Sequence, residues 1–365
     1  MVMTALNQIT QLARSLLVQG EGLRLDDAIG EATDLVFEQG DFDPTLEDAG
    51  LRQQVQQALV GYGSLDNLIN DTKIEEIWIN SPEQVFIARD SKVEKVELNL
   101  DALAIRQAVE KMLRDSGRRL DRSEPFVDAT LANGSRLHVV IPDVTSKHWA
   151  VNIRKFPQTV LTLSELVTRG ALTHELQERL VQNYRAGRNI LISGATQAGK
   201  TTILCALLEE SLETERLISI EETFEIRTTH KDWVAMQAKQ ANLEGVGEIT
   251  LRRLVREALR MRPSRLVIGE VRQAEALDLL IALNSGISGL CTIHANSALE
   301  AIEKLKLLPL LAGENIPAKF VSKSVKSNID LIIHSRMDAN GKRRIVQVLE
   351  AIRTGTKSRW QEVSL

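Results

Sequence analysis

Apolar and polar positions follow three different rhythms along the chain. In residues 1–57 the spacing is helical, with Leu12, Leu16 and Leu17 on one face and Leu51, Val55 and Leu59 on another. The acidic stretch Gly40–Asp48 predicts a loop, and Gly61 and Gly63 stop the last helix. From residue 58 to 156 the period shortens to two. Glu76–Asn80, Gln84–Ala88 and Lys92–Leu98 read as strands parted by Ser81-Pro82 and Asp90-Ser91. A helix is expected from Asp101 to near Gly117. Phe126–Leu131 and Ser135–Ile141 then flank Asn133-Gly134, a hairpin turn, and Trp149–Phe156 is a further strand. This predicts a small α+β domain with a largely antiparallel sheet, and Pro157 opens a linker over 157–165.

In residues 166–365 short apolar runs alternate with helices. Asn189–Ser193, Leu217–Ile220, Leu266–Ile268 and Leu290–His294 read as strands. Thr201–Ser211, Leu251–Met261 and Ala274–Leu283 read as helices. Apolar strands separated by helices predict an α/β domain, a parallel sheet covered on both faces.

Composition narrows the class. Of 365 residues, 43% are hydrophobic and 26% charged, which excludes a disordered or collagen-like chain. The net charge of −4 argues against a generally basic nucleic-acid binder. Charge is uneven, however: residues 1–60 carry three Arg and no Lys against ten acids. That predicts either a solvated acidic arm or a docking surface. No apolar run approaches the ~18 residues of a membrane span, and the start MVMTALNQIT lacks the form of a signal peptide. Cys205 and Cys291 lie in apolar segments and read as core residues. The expectation is a soluble cytoplasmic protein.

The chemistry concentrates in the third region. Gly194-Ala195-Thr196-Gln197-Ala198-Gly199-Lys200-Thr201 matches G-x-x-x-x-G-K-[ST] between a strand and a helix, with Thr202 following. Phosphates carry dense negative charge and need many donors at close range. The glycines let the loop turn its N–H groups inward, and the helix start adds its positive end. Lys200 supplies a point charge to the phosphates, and Thr201 a hydroxyl to Mg²⁺. Three further strand ends join it. Glu270 follows an apolar strand and can activate water or hold Mg²⁺ through water. Glu221 and Glu222 form an acidic pair whose joint ionisation would need a neighbouring cation. His294 could sense a phosphate or be structural. Arg252, Arg253, Arg256, Arg260, Arg262 and Arg265 crowd fourteen residues with Glu257 the only acid. They encircle a helix without interleaved aromatics, which favours subunit pairing or a solvated face over nucleic acid.

Taken with other segments, these motifs resemble the secretion ATPases of type II and type IV secretion and type IV pili, most of all the CpaF branch of tight-adherence pili. The resemblance spans roughly 58 to 350. It is carried by Gly61-Tyr62-Gly63-Ser64-Leu65, Gly134-Ser135-Arg136-Leu137-His138, Ile153-Arg154-Lys155-Phe156, Asn242-Leu243-Glu244-Gly245, Leu259-Arg260-Met261-Arg262-Pro263, Glu270-Val271-Arg272 and Thr292-Ile293-His294-Ala295-Asn296-Ser297. It implies an N-terminal α/β domain before a RecA-like P-loop ATPase domain, assembled as a hexamer with ATP and Mg²⁺. It also implies peripheral association with inner-membrane platform proteins, while the net charge and the few aromatics argue against direct contact with nucleic acid. It gives Glu270 the part of general base, Glu221 and Glu222 an acidic box, and His294 a histidine box. Arg136 and Arg154 become arginines that reach nucleotide phosphates, with Arg272 a weaker candidate. The chain departs from the branch at Ala195 and Gln197 in the loop, at Gln273, and at Ile287. A conjugation-type secretion ATPase is the nearest alternative, and a nucleic-acid translocase the next.

Overall fold

The structure, a computed structural model, describes residues 2–19, 23–39, 49–89, 92–98, 100–156, 159–241, 246–354 and 357–365. The expected loop Gly40–Asp48, the turn Asp90-Ser91, the linker start Pro157 and the segment Asn242–Gly245 lie outside the described residues. Contacts divide the chain into two compact units, Met1–Phe156 and Pro157–Leu365.

The first unit begins with α1 (Val2–Gln19), α2 (Leu25–Gln39) and α3 (Ala49–Val60). Ile9, Ala13, Ile29, Leu51 and Val55 bury together in a small core of their own, so the helical spacing has a partner to pack against. A tight turn at Gly63–Leu65 and α4 (Asp66–Asn70) lead into β1 (Ile74–Ser81), β2 (Gln84–Arg89), β3 (Lys92–Val96), α5 (Ala102–Asp115), β4 (Phe126–Thr130), β5 (Arg136–Val140) and β6 (Ala150–Arg154). The strands pair antiparallel in the order β3-β2-β1-β6-β5-β4. Asp101 caps α5 by accepting the Ala104 N–H at 2.7 Å. Ile105, Ala108, Val109 and Met112 then lie on the α5 face that covers one side of the sheet. Gly117, at φ +68°, ends that helix. The β4–β5 turn is as its sequence predicts: Gly134 is at φ +82°, and Asn133 Oδ1 accepts the Ser135 N–H at 3.0 Å.

The second unit holds α6 (Leu163–Thr168), α7 (His174–Arg185), β7 (Ile190–Gly194), α8 (Lys200–Leu208), β8 (Leu217–Glu221), β9 (Trp233–Gln237), α9 (Leu251–Ala258), β10 (Arg265–Ile268), α10 (Glu275–Asn284), β11 (Ser288–His294), α11 (Ala298–Leu307), α12 (Ala318–Asn328), β12 (Leu331–Met337), β13 (Arg343–Thr354) and β14 (Lys357–Glu362). Its sheet runs β14-β13-β12-β7-β11-β10-β8-β9. The six strands from β12 to β9 are parallel, whereas β13 and β14 add an antiparallel edge that the strand–helix alternation does not foresee. Successive residues of each central strand feed opposite cores. Leu191, Ile218 and Ile268 pack beneath α9 to α12, while Ile190, Ile192, Leu217 and Val267 pack against α6 to α8. Each such side chain stabilises by about 1.5–3 kcal/mol. α6 begins within the segment expected as linker, and Leu163 and Leu166 bury in the second core.

Two sequence expectations change. α9 stops at Ala258, and a tight turn carries the chain to Arg262, held at φ +56°, before Pro263. The arginine crowd is also largely spent inside the fold. Arg252 and Arg256 both pair with the buried Asp278 of α10, at 2.7 and 2.8 Å. Arg265, fully buried, reaches Glu215 at 3.2 Å and lies 3.7 Å over the Tyr184 ring. For these three, pairing within the chain replaces the expected subunit contact or solvated face.

Candidate functional site

Four parallel strands end at one rim, and their next residues meet there. β7 and β11 are in register with Gly194 opposite His294, and β10 stands between β11 and β8 with Ile268 beside Cys291 and Ile220. Glu270 therefore lies two residues past its strand, pinned on both sides. Gly269 N–H donates to the Ile220 carbonyl at 2.9 Å, and Val271 N–H to the Thr292 carbonyl at 2.8 Å.

The loop from Gly194 to Gly199 has a shape that side chains would block. A Cβ on Gly194 would sit 2.4 Å from the Ser335 carbonyl oxygen, and Gly199 takes φ +86° immediately before α8. Gln197 adopts φ +62° although it is not glycine. The Arg343 guanidinium donates to its carbonyl at 2.9 Å. Ser193, just before the loop, hydrogen-bonds the buried His334 at 2.9 Å. Nothing local in the sequence marks Arg343 or His334, because both arrive from β12 and β13. The first turn of α8 carries Lys200, Thr201 and Thr202, so its N–H groups face the loop's concavity.

A single chain of hydrogen bonds then crosses the rim. Lys200 Nζ donates to the Ala195 carbonyl at 2.8 Å and meets His294 Nδ1 at 3.2 Å. An ammonium can only donate, so Nδ1 accepts and Nε2 carries the proton. Nε2 lies 3.1 Å from Glu270 Oε1. The other Glu270 oxygen takes Arg272 at 2.7 Å, and Arg272 takes Glu222 at 2.6 Å. Burial pushes the Glu270 carboxyl up. The Arg272 hydrogen bond and the charges of Arg272, His294 and Lys200 outweigh it, and the group ends below its ordinary value. His294 is also lowered, first by burial and then by Lys200, Arg272 and Lys304, against the pull of Glu270. At neutral pH the site thus holds an ionised Glu270 beside a neutral imidazole.

The adjacent acids separate. Glu222 is half-exposed and faces Arg272. Glu221 is 3% exposed and accepts the Glu225 and Ile226 N–H groups at 2.8 Å each. Its other oxygen has no hydrogen-bond partner among the described residues. Burial lifts its pKa to about 7, against those two hydrogen bonds. The cation that the pair was expected to require serves Glu222 alone. Glu275, unmarked in the sequence, is buried and accepts the Arg272 and Gln273 N–H groups at 2.5 and 2.7 Å, which sets the angle of Arg272.

Arg136 and Arg154 belong to the first unit, opposite one another on β5 and β6, on the sheet face turned away from α5. Arg136 pairs with Asp128 at 3.1 Å. Both cysteines are buried thiols pushed up to about 12 by burial, consistent with core residues. Among the described residues no group of three His, Cys, Asp or Glu could hold a metal ion by itself. The hard oxygen donors present, the Thr201 hydroxyl and the Glu270 carboxylate, suit Mg²⁺ that is completed by phosphate and water.

Comparison with known proteins gives the chain its relatives. The family model described as "Type II/IV secretion system protein" matches residues 58–357. A putative conjugal transfer protein of Mycobacterium tuberculosis (strain H37Rv) is 32% identical over 302 residues, covering 80% of this chain and 85% of its own length. The type IV secretion system protein VirB11 of Bartonella quintana is 27% identical over 321 residues, covering 77% and 89%. The crystal structure of the Legionella pneumophila ATPase DotB superposes with a TM-score of 0.59 at 19% identity, covering 78% of this chain and 80% of that one. That likeness shows the RecA-like fold of the second unit's sheet and helices. With the loop, the strand-end residues and the matched span in place, this chain belongs to the type II/IV secretion system protein family.

Proposed function

We propose that the chain hydrolyses ATP and works as a motor of a secretion or pilus machine, with ATP as substrate and Mg²⁺ as cofactor. The observation that carries the proposal is the chain Lys200–His294–Glu270 beside a phosphate-shaped loop. In this reading the loop N–H groups and Lys200 take the β- and γ-phosphates. The Thr201 hydroxyl, and Glu270 through water, would hold Mg²⁺. Bound there, Mg²⁺ neutralises charge on the phosphate oxygens. Ionised Glu270 orients a water and accepts its proton, while the Nε2–H of His294 keeps the carboxylate aimed at the phosphate side. Arg272, clamped between Glu270 and Glu222, restrains that carboxylate and has to let go of one oxygen for the base to act. Arg136 and Arg154 are proposed to contact phosphate oxygens.

Relatives described as conjugal transfer and type IV secretion proteins support the secretion reading. The quoted segments favour the tight-adherence pilus branch within it. A homo-hexamer, inner-membrane platform proteins as partners, and a peripheral place at the membrane belong to the same proposal. Among the described residues no helix is long and apolar enough to cross a membrane. The test is phosphate release from Mg-ATP by the purified full chain and by Glu270→Gln. The variant should bind ATP as the parent does and turn over about 1000-fold more slowly. Unchanged kcat in that variant removes Glu270 as the base.

A further inference from the structure

A second basic site lies in the first unit, among residues that the proposed function does not use. A cavity of about 590 Å³ is lined by the end of α5, the α5–β4 connection and the β5–β6 connection. Arg106, Arg114, Arg118, Arg119 and Arg122 face it, against only Glu110 and Asp143. Those two acids are already engaged, Glu110 by Arg106 at 2.8 Å and Asp143 by Arg122 at 3.6 Å. Among the described residues no ion pair is found for Arg114, Arg118 or Arg119.

The backbone brings those three together. Gly117, in the left-handed region, turns the chain back at the end of α5, and Arg118 N–H closes onto the Leu113 carbonyl at 2.8 Å. Arg114 in the last helical turn thereby comes beside Arg118 and Arg119. Asp121 then folds the following turn by accepting both the N–H and the hydroxyl of Ser123, so its charge is spent locally. Below the guanidinium groups are the buried Leu113 and Ile141 and the Trp149 ring, over which Arg106 lies at 5.9 Å.

This end of the sheet is not the end proposed for nucleotide contact. Strand register places Val140 and Ala150 here and Arg136 and Arg154 at the far end, four residues away, about 13 Å. The cavity's volume suits a small molecule. Guanidinium forks match phosphate oxygens two at a time, which lysines do not. One enclosed aromatic in place of a stacked row argues against single-stranded nucleic acid.

We infer that this cavity binds a soluble phosphorylated small molecule. Its phosphate takes Arg114, Arg118 and Arg119, and its uncharged part rests on Trp149. The site shares no residue with the proposed ATP site and does not depend on the ATPase reading.

The probe is pyrophosphate, titrated into the full chain carrying Lys200→Ala, which removes the lysine charge from the proposed triphosphate site. Heat and tryptophan emission are recorded. One saturable event is expected, with an emission change that vanishes in Trp149→Phe. Replacing Arg114, Arg118 and Arg119 by Ala should weaken binding about tenfold or more, and replacement by Lys should recover part of it. In the chain with Lys200 intact, the same arginine changes should leave Mg-ATP turnover unaltered. Absence of saturable binding, or binding indifferent to the three arginines, overturns the site. Arginine-dependent binding to phosphatidylglycerol vesicles without pyrophosphate binding overturns the soluble ligand in favour of a lipid headgroup. Pyrophosphate binding here in a chain that never turns over ATP leaves this site standing and removes the proposed function instead.

Discussion

In β7 and β8 every residue is buried, whereas in β5 and β6 buried positions alternate with half-exposed ones. The parallel strands are covered by helices on both faces. The antiparallel strands are covered by α5 on one face and leave the other free for Arg136, His138, Asn152 and Arg154. Burial thus decides where chemistry can sit. A strand covered twice has no room along its length for a functional side chain, so polar groups gather at or just past its C-terminal end. There Lys200, Glu221, Glu270 and His294 are found. A strand covered once can carry polar groups along its open face, and the first unit does so.

The largest expected effect tests the strand-end half of that contrast. Lys200→Ala removes the one cation reaching from the loop to His294, and Mg-ATP turnover should fall by about 1000-fold or more. The chain should still unfold cooperatively, because the loop keeps the left-handed Gly199 and the Arg343 bond to the Gln197 carbonyl. A normal turnover rate would detach the rim from catalysis.

Burial periodicity is the next measurement. In the twice-covered sheet the neighbours Leu191→Ala and Ile192→Ala should each cost about 2–5 kcal/mol in urea unfolding. In the once-covered sheet Leu137→Ala should cost as much, whereas its neighbour His138→Ala should cost less than about 1 kcal/mol. Equal costs at 137 and 138 would erase the distinction between the sheets.

A third effect is confined to pH. Glu221 has its folded pKa raised to about 7 from 4.5, so the folded chain binds its proton more tightly than the unfolded chain does. The stability this proton confers is present below about pH 4.5 and is lost as pH rises through about 7, up to about 3 kcal/mol in all. Glu221→Gln keeps the acceptor for Glu225 and Ile226 and should flatten that part of the stability–pH curve. A curve identical to the parent's would mean that Glu221 is charged at neutral pH.

Much of the site was legible in one dimension because its parts are local. A loop that closes over phosphate needs its glycines, lysine and threonine within eight residues, and strand–loop–helix geometry follows from that spacing. Glu270 and His294 were readable as strand-end residues for the same reason. The fates of Glu221 and Glu222 were not. Which of two adjacent acids is buried depends on which way the strand's last residue points, and on the Glu225 and Ile226 amides that come to meet it. The arginine crowd was misread because Asp278 stands on another helix.

Periodicity alone told the antiparallel sheet from the parallel strands, since a side-chain rhythm records how many faces each strand must bury. The glycine-bent loop was likewise legible in the order of residues, since Gly194 and Gly199 stand where a side chain would clash or the backbone is left-handed. Tertiary structure decided everything that depends on residues meeting from afar. It set the contact of His294 with Glu270, the grip of Arg272 on Glu222, the antiparallel edge of β13 and β14, and the arginine-lined cavity at the end of α5. Those are products of packing, in which strand order and helix placement set the distances and no local pattern carries them.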